Sequence, residues 1–304
     1  MLSTLPDLHR SFAEQLKLKF QSDSRIHSLL AGGSIIHGGF DQYSDLDFIV
    51  VVDPGYYDEV MAQRRELAGT LGHLLHAFTG EHVGEPRLLI CLYGPELLHV
   101  DLKFVTLEML IQRVEEPAVL FTRDNTALER QRVKSSARWP NMTPEWFESR
   151  AWIWLHYAVV KLGRSELFEA IGMLAFFREQ VLGPMLYRRA NLPQRGVRRI
   201  EFHSIDPDGL LTSTLATHDR DSVSVAIRMA VEAYINLRAD ALPENIADDA
   251  TRWAVLAMLK KVLTRVKFIL PVAYTAGVKV SCTILAASPP PERGAGGCLY
   301  PLWP

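Results

Sequence analysis

Cysteine is scarce in this chain: three in 304 residues, Cys91, Cys282 and Cys298. They form no disulfide framework and no clustered zinc spacing, which points to a reducing cytoplasm. An excess of positive charge is also missing. Lys and Arg number 33 against 35 Asp and Glu, a formal net charge of −2. That balance argues against a dedicated binder of duplex nucleic acid, which carries a basic excess. No apolar run of about 18 residues free of charge occurs, so no membrane span is expected. The opening MLSTLPDLHRSFAEQLKLKF interleaves charge with apolar residues and lacks an apolar h-region, so it does not read as a signal peptide. Internal repeats are absent too. What is present is 48% hydrophobic and 22% charged residues, the globular range, in a chain long enough for two domains with sizeable cores.

Along the chain, Leu8, Phe12, Leu16 and Phe20 recur at helical spacing, which predicts an amphipathic helix over about 6–20. A short apolar stretch, Ile26 to Ala31, ends in Gly32-Gly33-Ser34. Leu46 to Val52 (LDFIVVV) is a β-branched run closed by Asp53-Pro54-Gly55, a strand and its turn. Helical periodicity then runs from Tyr56 to Phe78 through Val60, Leu67, Leu71 and Leu74. It would put His73 and His76 about one turn apart on a solvated face. Arg87–Tyr93 and Leu97–Phe104 flank Gly94-Pro95-Glu96 and predict a hairpin with a three-residue loop. Strands alternating with helices, plus one hairpin, predict an α/β domain with a mixed sheet.

After about residue 140 the strand signals vanish. Thr143-Pro144 is a helix start, a cap followed by Pro at the first helical position. Helices are predicted over about 144–162, 165–190, 220–238 and 244–268, with Gly183-Pro184 kinking the second. The fold class is therefore α+β: an α/β domain over 1–138, an all-α bundle over 139–269, and a tail over 270–304. From Leu270 onward only Lys279, Glu292 and Arg293 are charged, and Pro and Gly accumulate. That stretch reads as a poorly ordered tail or as an out-of-frame translation of the gene's end. Trp139, Trp146, Trp152 and Trp154 crowd the domain junction, as core packing or as an aromatic wall for a flat acceptor. Arg188, Arg189, Arg195, Arg198 and Arg199 form a local basic cluster, a solvated helix end or an attractor of anions.

The segment that carries chemistry is Gly32-Gly33-Ser34, ten intervening residues, then Asp45-Leu46-Asp47 opening the strand. Residues two apart in a strand share a face. Asp45, Asp47, Ile49 and Val51 lie on one side; Leu46, Phe48, Val50 and Val52 lie on the other, which packs on helices. Two unit charges about 4 Å apart repel by roughly 4 kcal/mol at an effective dielectric of 20. Such a pair calls for a cation or a raised pKa, and hard paired oxygens suit Mg²⁺. The second hairpin strand repeats the pattern, with Leu97, His99, Asp101 and Lys103 opposite Leu98, Val100, Leu102 and Phe104. If it lies beside the Asp45–Asp47 strand, Asp101 becomes the third carboxylate of one cluster. Gly33 allows close backbone approach to phosphates, and Ser34 with the following amides can bind phosphate oxygens.

The run GGSIIHGGFDQYSDLDFIVV resembles the signature of the DNA-polymerase-β-type nucleotidyltransferase superfamily, and of its minimal bacterial branch of aminoglycoside, lincosamide and antitoxin-like nucleotidyltransferases. The motif resemblance covers roughly residues 31–103. It implies that Gly33, Ser34 and Ser44 bind the nucleotide and that Asp45, Asp47 and Asp101 are catalytic and bind Mg²⁺. A helical-domain lysine contacts the triphosphate in several relatives, and Lys161 is the candidate here. The implied activity is transfer of a nucleoside monophosphate, AMP from ATP, to a hydroxyl of a small-molecule acceptor such as an antibiotic. Two rival readings are an antitoxin-like nucleotidyltransferase that modifies or masks a partner protein, and a degenerate nucleotide-binding module. The complete set of three acids argues against the last.

Overall fold

A computed structural model describes residues 2–38, 40–244 and 249–264; Cys282, Cys298 and the tail predicted over 270–304 lie outside them. The chain divides into two compact units, one up to Arg138 and one from Trp139. The fold class is α+β. In the first unit the elements run α1 (Asp7–Ser22), β1 (Ile26–Ala31), α2 (Ser34–His37), β2 (Leu46–Val52), α3 (Tyr57–Gly69), β3 (Leu74–Gly80), β4 (Glu85–Tyr93), β5 (Leu98–Val105), β6 (Ala118–Thr122) and α4 (Asn125–Arg132).

The six strands form one mixed sheet in the order β3-β4-β5-β2-β1-β6. Every neighbouring pair is antiparallel except β2 and β5 at the centre. Parallel neighbours need a crossover connection. Here α3 and β3–β4 supply it, and it brings Asp47 and Asp101 side by side. One face of that central pair, Leu46, Phe48, Val50 and Val52 with Val100, Leu102 and Phe104, is buried with Phe12, Leu16 and Phe20 of α1 and Val60 of α3. Each such side chain contributes about 1.5–3 kcal/mol on burial. On the opposite face a smaller cluster of Leu30, Val51, Val105, Leu110 and Leu128 covers the far end. Asp47 and Asp101 lie at the near end of that same face.

Three elements differ from the sequence expectation. The buried stripe of α1 includes His9 and Ala13, whereas Leu8 is exposed. A four-residue repeat turns 400° in a 3.6-residue helix, so Leu8 drifts off the stripe that Phe12, Leu16 and Phe20 define. The helix predicted to Phe78 stops at Gly69, where the Thr70 hydroxyl donates to the Leu67 carbonyl at 2.7 Å. Gly69, Thr70 and Gly72 break it, and Leu74–Gly80 pairs with β4 instead. His76 is therefore on a strand, and His73 precedes it. Strand β6, which no strong alternation announces, forms because β1 would otherwise leave an unpaired edge beside a buried strand.

Among the described residues the second unit contains helices and no strand: α5 (Pro144–Gly163), α6 (Leu167–Phe177), α7 (Gly183–Arg189), α8 (Ile200–His203), α9 (Arg220–Arg238) and α10 (Asp249–Thr264). Thr143 caps α5 as its sequence predicts, accepting from the Trp146 amide. Between α6 and α7 the chain widens into a π turn over Arg178–Leu182, where a kink was expected. Pro184 has no amide proton to give, and the wider turn accommodates that loss. Trp152 packs edge-on against Tyr234, and Trp154 against Trp146 and Phe176, all within this unit's core. The basic cluster is engaged internally: Arg189 pairs with Asp240 at 2.7 Å, and Arg195 stacks on Trp139.

Buried Glu148 accepts from the Tyr234 hydroxyl at 2.6 Å and Arg238 Nε at 2.7 Å. Glu148→Ala strands both donors and is expected to cost about 3–5 kcal/mol. Tyr234→Phe, which removes one donor and leaves the ion pair, is expected to cost about 1 kcal/mol. Urea melts of the two variants check the difference; equal losses would mean that packing, not the ion pair, holds this spot.

Candidate active site

In the parallel register of β2 and β5, Asp47 lies opposite Asp101. Neighbouring strands run about 4.8 Å apart, so two carboxylates leave one sheet face side by side. Both residues are nearly closed off from solvent, at 6% and 7% exposure. Asp45 sits half-buried just before β2, two residues upstream on the same side. His99, two residues before Asp101, donates from Nε2 to Asp101 Oδ1 at 2.9 Å. That hydrogen bond raises the His99 pKa above the ordinary imidazole value against the opposing effect of burial, and the charges of Asp101, Asp45 and Asp47 add to it. The imidazole thus feels all three acids.

The Gly32-Gly33 turn is pinned to the start of β2, because the Gly32 amide donates to the Asp47 carbonyl at 3.0 Å. Gly33 has φ +57° and ψ −136°, a conformation open to glycine. A Cβ built there would stand 1.9 Å from Asp47 Oδ2. The turn therefore presses its backbone against the carboxylate, and Ser34 opens α2 directly after it. Ser44 sits in a turn closed by Asp41, whose amide donates to Ser44 Oγ at 3.0 Å. The Ser44 carbonyl accepts from His9 Nε2 of α1 at 2.9 Å, while His9 lies edge-on to Phe40. Gly33, Ser34, Ser44, Asp45, Asp47 and Asp101 all belong to the first unit. Lys161 belongs to the second, where its ammonium is held by Glu166 and Glu169 at 2.6 Å each. Those hydrogen bonds raise its pKa. With two carboxylates on one ammonium, Lys161 is locally neutralised.

Sequence reasoning missed two side chains. Glu115 accepts from the Gly33 amide at 2.8 Å and meets His37 Nε2 with its other oxygen. It comes from the loop before β6, and nothing in the run RVEEP marks it. His9 lies on a helix read as plain amphipathic, and its role needs the packing of α1 against the Ser44 turn. Cys91 is the one described cysteine and is buried; burial pushes its thiol up to about 12, so it is not a nucleophile at neutral pH.

Further along the same face of β5, Lys103 pairs with Glu85 at 3.0 Å, and Arg87 closes on the same carboxylate at 2.6 Å. Burial alone would raise the Glu85 pKa, but the Arg87 hydrogen bond and the Lys103 charge outweigh it and bring it from 4.5 to about 2. The folded pKa lies below the unfolded one. This ion pair's stabilisation is therefore complete above about pH 4.5 and is lost as pH falls toward 2. Stability curves of the wild type and Glu85→Gln are expected to differ by a constant amount above pH 5 and to converge in acid. Parallel curves down to pH 2 would rule the linkage out.

The carboxylates fit a hard divalent cation by their donor chemistry and by the pairing of Asp47 with Asp101. The fit is that of a pair: among the described residues no three His, Cys, Asp or Glu side chains are gathered as a set able to hold a metal ion. Nor, among those residues, is any helix long and apolar enough to cross a membrane.

No family model matches the chain, and no curated protein does. Among solved structures it is similar to the crystal structure of an aminoglycoside 6-adenyltransferase from Bacillus subtilis, at 15% identity and a TM-score of 0.35. That match covers 82% of this chain and 97% of the other. So distant a likeness carries no argument about this protein.

Proposed function

We propose that the chain is a nucleotidyltransferase that moves a nucleoside monophosphate, AMP from ATP, to a hydroxyl of a small-molecule acceptor such as an antibiotic, releasing pyrophosphate. The observation that carries this reading is the register match of Asp47 with Asp101, with the Gly33 turn packed against Asp47 Oδ2. Two buried acids beside a glycine turn that excludes any side chain form a bed for a phosphate chain and a cation. The near balance of charge favours a small acceptor over a nucleic acid.

In this reading the acceptor oxygen attacks the α-phosphorus, the bond to the bridging oxygen of pyrophosphate breaks, and the hydroxyl proton leaves. Asp47 and Asp101 would hold Mg²⁺, with Asp45 as the third acid. Mg²⁺ bound there would neutralise developing phosphoryl charge and lower the pKa of the acceptor hydroxyl. Asp101 holds the cation or takes the acceptor's proton, and His99 fixes the orientation of its carboxylate through Oδ1. Gly33, Ser34 and Ser44 hold phosphate oxygens. Positioning and charge neutralisation supply most of the rate. Lys161 would join the triphosphate only by giving up Glu166 and Glu169.

Titration calorimetry with ATP tests the metal assignment. Binding is expected to require Mg²⁺, and equal affinity with and without it would overturn the assignment. Incubation with labelled ATP, Mg²⁺, a panel of aminoglycosides and lincosamides, and cell lysate tests the acceptor. Label in a small molecule supports the reading; label on a protein replaces it with the antitoxin-like alternative.

A further inference from the structure

We propose that Glu115 is a competitor built into the chain for the anion position at the Gly33 amide and His37, so that nucleotide binding there is an exchange of one anion for another. The inference rests on the nucleotidyltransferase reading for the identity of the incoming anion. Its geometry stands by itself. The Gly33 amide has one proton, and Glu115 Oε1 takes it at 2.8 Å. A Cβ built on Gly32 would stand 2.8 Å from that same oxygen, so the carboxylate lies directly on the Gly32-Gly33 backbone. Its second oxygen faces His37 Nε2. Two oxygens of one anion, one on a backbone amide and one on an imidazole, are arranged as two oxygens of a phosphate would be. The side chain is 10% exposed. A carboxylate and a phosphate cannot both accept the one Gly33 proton.

The surrounding loop decides how the exchange occurs. Glu116, the next residue, is held by Arg113 at 2.6 Å and by Arg132 at 3.3 Å, and accepts from the Ala137 amide. Arg113 in turn donates to the carbonyls of Leu110, Arg132 and Ser135. The backbone beside Glu115 is therefore anchored, and Glu115 leaves by rotating its own side chain rather than by opening the loop. The contact weakens nucleotide affinity and keeps the glycine turn in shape.

Calorimetry with Mg·ATP and with tripolyphosphate on the full chain tests this, using Glu115→Ala, Glu115→Asp and Glu115→Gln. Glu115→Ala is expected to bind both probes roughly tenfold tighter, since a charge-assisted hydrogen bond no longer has to be broken. Glu115→Asp is the discriminating variant. It keeps the charge but falls one methylene short of the Gly33 amide, so it is expected to bind tighter as well. Wild-type affinity in Glu115→Asp with tighter binding in Glu115→Ala would reduce the effect to net charge and overturn the exchange. Weaker binding in Glu115→Ala would make Glu115 part of the nucleotide's own contacts and overturn it too. Glu115→Gln, near-isosteric and uncharged, replaces Glu115→Ala if that variant does not fold. ATP binding that is unchanged across all three overturns the exchange alone. No binding of ATP or tripolyphosphate to any form, wild type included, overturns the nucleotidyltransferase reading with it.

Discussion

Asp47→Asn is expected to lower transfer by a factor on the order of 10³ or more while leaving the fold intact. Asparagine keeps the shape and one acceptor oxygen but cannot carry the charge that a divalent cation needs. The residue lies at the beginning of β2, on the face away from Phe48 and Val50, so the large core does not feel the change. Removing one of three neighbouring carboxylates also relieves repulsion, so the melting temperature without metal is expected to hold or rise. The measurement is paired: label transfer at saturating Mg·ATP, and thermal melts with and without Mg²⁺. A variant that unfolds, or one that keeps full turnover, would show that Asp47 is structural.

Gly33→Ala is expected to do the opposite, damaging fold and binding together. The new Cβ would stand 1.9 Å from Asp47 Oδ2 and 2.9 Å from its Cγ, so either the turn or the carboxylate must move. The backbone conformation adds about 1–3 kcal/mol of strain for any residue with a side chain. Forcing atoms into the occupied space adds a similar amount. Gly38 is the natural control: its φ is also positive, at +78°, but nothing lies within 4 Å of a Cβ built there. Gly38→Ala therefore carries the backbone strain without the collision. The two variants are expected to separate in ATP binding, lost in Gly33→Ala and largely kept in Gly38→Ala. Equal loss in both would mean that loop conformation, not the approach to Asp47, is what binding requires.

The sequence alone determined the parts of this protein that depend on local pattern. The run LDFIVVV could only be a strand, and its alternation assigned the two faces before any fold was known. Thr143-Pro144 marked the start of α5 because capping and a fixed φ act within one turn. The Gly33, Asp45 and Asp47 spacing was legible because all three residues lie within one short stretch. Asp101 was legible only as a condition: its alternation placed it on a polar face, but nothing local says which strand β5 pairs with. The crossover through α3, β3 and β4 decided that, and with it the match of Asp101 to Asp47. Tertiary structure likewise ended the helix at Gly69, since Leu71, Leu74 and Phe78 suit a helix in isolation and a strand once β4 offers its edge. Glu115 and His9 were beyond the sequence for the same reason. Glu115 is 82 residues from the Gly33 amide it holds, and His9 is 35 from the Ser44 carbonyl. Pairings across such distances leave no periodicity in the chain; they exist only where the packed sheet and helix bring the two ends together.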